Sequence, residues 1–158
     1  MTNNPAPASA PTAELPVHEC WAMLRGVSVG RLALWVTDHP DIFPINYTVD
    51  HGTLVFRTGP GTKLAAALGE APVAMEADGV DATSGVAWSV VVKGIAALID
   101  STEDVLDSFS LMLFPWQSGC KDTFVRITPT LITGRKFKVA PPTQWWTTQA
   151  DSPHASPE

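Results

Sequence analysis

The chain is poor in the residues that mark several protein classes. It has two cysteines in 158 residues, Cys20 and Cys120, with no second Cys near either. Two isolated thiols cannot build the disulfide framework of a small secreted scaffold, so reduced, mostly buried thiols are expected. Charged residues are only 16% of the chain, too few for charge repulsion to keep its middle unfolded. Positive charge is in the minority, with 10 Lys and Arg against 16 Asp and Glu and a net charge of −6. Such a surface repels phosphate backbones, so nucleic acid is not an expected partner, although a local cationic pocket for one small anion remains open. No apolar run reaches the roughly 18 residues that cross a bilayer. The stretch from Met1 to Pro16 has neither the basic nor the apolar region of a secretory signal. A cytoplasmic protein without membrane association is the expectation. His18, His39, His51 and His154 lack metal-ligand spacing, and no metal is expected. There is no G-x-G-x-x-G after a first strand, no Walker A spacing and no G-x-S-x-G elbow.

What is present suits one folded unit. Hydrophobic residues are 45% of the chain, with six Trp and six Phe, enough for a single core. Residues 1–15, rich in Asn, Ala and Pro, read as a flexible tail, and 141–158 as a Pro-rich C-terminal tail that carries the pair Trp145-Trp146. Between them, Val17, Cys20, Trp21 and Leu24 form one face of a short helix that Gly26 can end. Strands are predicted over Val29 to Val36, Ile42 to Val49, Thr53 to Arg57, Ala71 to Ala77, Val86 to Ile99 and Thr123 to Thr133, the last with a possible break at Pro129. Turns are predicted at Asp38 to Asp41, Asp50 to Gly52 and Asp78 to Asp81. Gly94 inside a long strand predicts a bulge or sharp bend. Short helices are predicted at Leu64 to Leu68 and after Ser101. About six antiparallel strands with two or three short helices make a mainly β (α+β) chain, for which a small closed barrel removes exposed edges.

Four segments could carry chemistry. Phe56-Arg57-Thr58-Gly59-Pro60-Gly61-Thr62-Lys63-Leu64 leaves a strand, crosses a Gly-rich loop and enters a helix. Backbone N–H groups, two hydroxyls and two cations around one point suit a phosphate monoester, while the same stretch also reads as a hairpin loop with solvated charges. In Pro44-Ile45-Asn46-Tyr47, the Asn46 amide can offer a donor and an acceptor to a heteroaromatic ring, or can simply face solvent. Trp88-Ser89 sits in a strand where a Trp is ordinarily core. Arg126 and Arg135 lie on the last strand and either decorate its surface or reach an anion. Glu76 and Asp78 are close along the chain, with nothing to mark them as an acid/base pair.

These segments, taken in order with Cys20-Trp21, Gly30-Arg31-Leu32-Ala33 and Arg126-Ile127-Thr128-Pro129, resemble the pyridoxamine 5′-phosphate oxidase-like flavoproteins, in particular the nitroimidazole-reductase-like branch. The resemblance spans roughly residues 17–138 and implies a split β-barrel domain over 16–140. It further implies a homodimer with FMN at the subunit interface. Ile45, Asn46 and Tyr47 would line the isoalloxazine ring. Arg57, Thr58 and Lys63, with Thr62 and Leu64 beside it, would hold the phosphate end. Trp88 and Ser89 would approach from the neighbouring strand or from the other subunit. The segment Leu131-Ile132-Thr133-Gly134-Arg135 departs from the ending of true pyridoxamine phosphate oxidases, which argues against pyridoxal phosphate synthesis. The implied activity is that of a flavin-dependent oxidoreductase transferring hydride to or from a small molecule. A non-enzymatic flavin-binding or sensing module, or a deazaflavin (F420)-dependent reductase, is the alternative, with FAD as another possible cofactor.

Overall fold

The computed structural model describes residues 11–59, 64–65, 68–99 and 123–139. Seven strands and one helix occur among them: β1 (Ala13–Leu15), α1 (Val17–Arg25), β2 (Val29–Val36), β3 (His39–Asp50), β4 (Thr53–Thr58), β5 (Ala71–Asp81), β6 (Val86–Ile99) and β7 (Thr123–Lys138). The strand order is β1-β7-β4-β3-β2-β5-β6, and a further β6–β7 ladder joins the two ends. β2 to β7 therefore close into a ring, and every pairing in it is antiparallel. This is the expected barrel, and closure satisfies edges that would otherwise be exposed.

Alternation along each strand decides which residues fill the ring. Leu32 and Leu34 of β2, Ile45 and Tyr47 of β3, Leu54 and Phe56 of β4, Met75 and Ala77 of β5, Val90 and Val92 of β6, and Val125 and Ile127 of β7 belong to one buried cluster. Full burial of side chains of this size contributes about 1.5–3 kcal/mol each. Cys20 and Leu24 of α1 and Leu15 of β1 join the same cluster, so α1 plugs the barrel. Burial raises the Cys20 thiol pKa and keeps it neutral.

Several sequence expectations shift. β2 and β6 have the expected bounds, but β3 begins at His39 inside the predicted turn, because Val36 pairs with His39 and leaves only Thr37-Asp38 as the loop. The Asp78–Asp81 stretch is strand, paired with Val86 to Ser89, and the turn falls at 82–85. Gly79 there serves packing, not turning. A Cβ on it would lie 2.7–2.9 Å from the Nε1, Cε2 and Cζ2 atoms of Trp88. The Asp50-His51-Gly52 turn is as expected, with φ of 45° at His51 and 75° at Gly52, the left-handed pair of a type I′ hairpin. β7 is continuous past Pro129 and runs to Lys138. The interruption is a bulge: Lys93 faces Leu131 while Gly94 faces Pro129, as the glycine suggested. Ala13–Leu15, expected in a tail, pairs with Gly134 to Lys136 as β1. Leu64 and Ala65 are helical, and the Leu68 N–H donates to the Leu64 carbonyl at 3.1 Å. The helix predicted after Ser101, the C-terminal tail and the residues Pro60 to Lys63 lie outside the described residues. No described helix is long and apolar enough to cross a membrane.

Candidate functional site

Strand parity separates the expected ring-lining residues. Ile45 and Tyr47 point into the barrel and belong to its core. The Tyr47 hydroxyl donates to the Leu24 carbonyl of α1 at 2.8 Å, and burial pushes its pKa well above the usual phenol value. Tyr47 is thus a neutral structural link between β3 and α1. Asn46, between them, points the other way, onto the outer wall, and its backbone lies across from Val29. Tyr47 faces Phe56, the last pair of the β3–β4 ladder, and Arg57, the next residue of β4, points outward as Asn46 does.

Arg57 faces Phe124 of β7, and its guanidinium carbon stands 5.3 Å from the ring centroid. A cation over an aromatic face is attracted by the ring quadrupole and loses rotational freedom. Thr58 ends β4 and is buried on the inner side. Leu64, beyond the Gly-rich connection, is buried in the core cluster. Thr62 and Lys63 fall outside the described residues. Of the expected phosphate-binding set, Arg57 is therefore the described cation on the outer wall.

Arg126 lies on the same wall. Arg126 is hydrogen-bonded at 2.7 Å to both Asp50 Oδ2 and Thr53 Oγ1, which ties the β3–β4 hairpin to β7. The hydrogen bond from Arg126 is the first cause that lowers the Asp50 pKa, so this carboxylate stays ionised. Arg31 is likewise engaged, 2.7 Å from both Glu76 and Asp78. Its two acidic neighbours hold its charge more firmly, Asp78 first. Their E-x-D spacing on one strand, which puts both on one face, was the available signal for this pairing.

Trp88 and Ser89 also part company. Trp88 lies on the inner side against Gly79, half-buried beside the core. Ser89 faces outward into a groove of about 230 Å³ that is lined by Val91, Thr133, Gly134 and Arg135 as well. Thr133 and Arg135 were not paired with Ser89 by sequence reasoning. Their i, i+2 spacing shows a shared face, but only the β6–β7 register brings that face to Ser89.

The distance between the two halves matters most. Arg57 is opposite Phe124 near the start of β7, and Ser89 is opposite Arg135 near its end. These positions are 135 − 124 = 11 residues apart on one strand, a path of roughly 35 Å at about 3.3 Å per residue. Among the described residues no group of three or more His, Cys, Asp or Glu is placed to hold a metal.

Comparison with known proteins agrees with this architecture. A family model described as pyridoxamine 5′-phosphate oxidase matches residues 16–136. The FAD binding protein from Mycobacterium smegmatis is 38% identical, with 80% of this chain and all of that one covered at a TM-score of 0.70. A Corynebacterium glutamicum protein provisionally assigned as a pyridoxamine 5′-phosphate oxidase is 36% identical, covering 83% and 97% at a TM-score of 0.72. An uncharacterized protein of Mycobacterium tuberculosis is 33% identical over 126 residues, 77% of this chain and 82% of its own. With its closed antiparallel barrel, its helical plug and a match over nearly all the described residues, the chain belongs to the pyridoxamine 5′-phosphate oxidase family.

Proposed function

We propose that this protein binds a flavin, FMN as the sequence resemblance implies, in a site shared by two copies of the chain, and acts as an oxidoreductase on a small molecule. The observation that carries this is Arg57, set over Phe124 at the end of β4 that leads into the Gly-rich connection, with Asn46 on the outward side of β3. The residues fit such a group. Arg57 offers a guanidinium, oriented over Phe124, to a phosphate. Asn46 offers an amide donor and acceptor to the edge of a heteroaromatic ring. When bound, the flavin supplies hydride transfer at its N5 position, and the protein supplies position and electrostatics.

The chain's own groups are set for orientation more than for proton transfer. Tyr47 is neutral, inward-facing and committed to Leu24. Asp50 is held ionised by Arg126, which disqualifies it as a general acid near neutral pH. A second copy of the chain is implied by the sequence resemblance. The outer face of β2, β3, β5 and β6 suits that contact. Trp35 is 66% exposed and Ile95 40%, around a groove of about 400 Å³ that Pro40, Pro72 and Lys93 also line, and Ile42 of β3 is 63% exposed. Apolar exposure of this kind marks an association surface. It runs along β6 from Ile95 and Lys93 toward Val91 and Ser89, so docking there would cover the second half of the site.

FAD is the competing cofactor, favoured by the 38% identical M. smegmatis protein, which is described as FAD binding. The test is to load purified protein with FMN or FAD and follow flavin fluorescence. Replacing Arg57 by Ala should weaken binding by about 1.5–3 kcal/mol, the worth of a charge-assisted hydrogen bond, or roughly 10–150-fold. A wild-type protein that takes up neither flavin would sink the proposal. Turnover of NADH or NADPH with nitroaromatic or quinone acceptors separates an enzyme from a binding module.

A further inference from the structure

We propose that the groove between Ser89, Thr133 and Arg135 is a second binding subsite, one that receives an oxyanion, a phosphoryl or carboxylate group. The flavin phosphate is assigned to Arg57 on the opposite stretch of the wall, so this subsite addresses a different charge.

Three observations converge on it. First, the three polar side chains share one face. Ser89 is directly opposite Arg135, and Val91 is opposite Thr133, so two hydroxyls and a guanidinium line the same depression. A planar guanidinium fork beside hydroxyl donors matches an oxyanion's several lone pairs. Second, Gly134 lines the groove by its backbone, and the side chain it lacks would point the other way, into the core. A Cβ there would fall 2.5 Å from Cys20 Sγ and 3.0 Å from Leu15 Cδ1, so α1 and β1 require glycine at this point. Third, Arg135 makes no ion pair among the described residues, whereas Arg31 is held by Glu76 and Asp78, Arg126 by Asp50 and Lys136 by Glu19. On a chain of net charge −6, an arginine left out of the ion-pair network beside two hydroxyls is a locally electropositive spot. The acid opposing it is Glu14, its cross-strand neighbour on β1, which forms no ion pair with it. Glu14 sets an upper bound on affinity for an anion, and its removal should raise that affinity.

Two sources could bring the same chemistry. One is the phosphate chain of a flavin held by a second copy, which rests on the function proposed above. FAD carries a second phosphate that FMN lacks, and this subsite would read it. The other is a free anionic substrate. Volume does not separate them, since about 230 Å³ holds a pyrophosphate or a small carboxylate.

The experiment compares wild-type full-length protein with Arg135→Gln, Arg135→Lys and Glu14→Gln. Dissociation constants are measured for riboflavin, FMN, FAD and inorganic pyrophosphate, with circular dichroism melts as the folding control. Arg135 is exposed, so its variants are expected to melt like the wild type. If the flavin is the source, Arg135→Gln weakens FAD about tenfold or more and spares FMN and riboflavin, while Arg135→Lys restores part of the loss. If a substrate is the source, flavin affinities stay unchanged and pyrophosphate binding falls by a similar factor. In both cases Glu14→Gln tightens the same ligand. A loss shared equally by riboflavin would overturn the proposal, because the groove would then touch the ring. So would unchanged affinities for all four probes. If the wild type binds no flavin at all, the proposed function fails, while the pyrophosphate arm still decides the subsite.

Discussion

The Asp50–Arg126–Thr53 link offers a quantitative test of how the outer wall is held. Arg126 Nη1 is 2.7 Å from Asp50 Oδ2 and 2.7 Å from Thr53 Oγ1, with side-chain exposures of 27% for Arg126 and 15% for Asp50. A fully exposed pair would contribute only about 0.2–1 kcal/mol. A charge-assisted hydrogen bond shielded from water contributes about 1.5–3 kcal/mol. This pair lies between those limits, so a double-mutant cycle of Asp50→Asn and Arg126→Met should give a coupling energy of about 1–2 kcal/mol. His51 also contacts Asp50, at 2.7 Å, but its side chain is 96% exposed and a contact so open to solvent contributes little. The pH dependence has a definite sign. The folded-state pKa of Asp50 is lowered, first by the Arg126 hydrogen bond. Its stabilisation is therefore complete above the unfolded carboxylate value of about 3.9 and is lost as pH falls through the lower folded value. Urea unfolding by tryptophan fluorescence, at one protein concentration because association adds to apparent stability, should show wild type and Asp50→Asn separated at pH 7 and converging toward pH 3. A coupling energy below about 0.3 kcal/mol, within the additivity expected of independent sites, or a separation that ignores pH, would refute the reasoning.

Two further outcomes follow from other parts of the fold. Tyr47→Phe removes a buried hydroxyl and leaves the Leu24 carbonyl without that donor, which should cost about 1–3 kcal/mol in chemical unfolding. Because Tyr47 faces inward, flavin affinity should change less than for Arg57→Ala, and an equal loss in both would contradict its assignment to the core. Trp35→Glu places a charge on the exposed apolar face and should shift the proposed dimer to monomer on light scattering, with weaker flavin binding. A variant that stays dimeric with full flavin affinity would move the interface elsewhere.

Some of the molecule was legible in the chain because its causes are local. Alternating apolar residues specify β2 and β6 to the residue, since a period of two leaves no other way to bury Leu32 and Leu34 or Val90 and Val92 together. The His51-Gly52 turn is local backbone chemistry, in which glycine tolerates positive φ. Gly94 announced a bulge for the same kind of reason. Turn propensity misled at Asp78–Asp81, where aspartates and a glycine read as a loop. Gly79 is instead small because Trp88 lies across it, a demand made by another strand. β1 escaped notice because three residues carry no periodicity, and its partner lies more than a hundred residues downstream.

For the site, the residue types pointed to chemistry and only the tertiary structure sorted them. Ile45-Asn46-Tyr47 was read as one flavin-facing unit, yet pleating alternates side chains, so Asn46 is on the outer wall and its neighbours are in the core. Trp88-Ser89 divides in the same way. Arg126 and Arg135 looked equivalent as basic residues on the last strand. Register gave one an aspartate and left the other beside Ser89 and Thr133. Strand periods read together with the family resemblance pointed to the barrel, while composition set the acidic character and the supply of cations. Which acids Arg31 and Arg126 meet was decided by strand pairing across the ring, which is long-range and invisible in any local window.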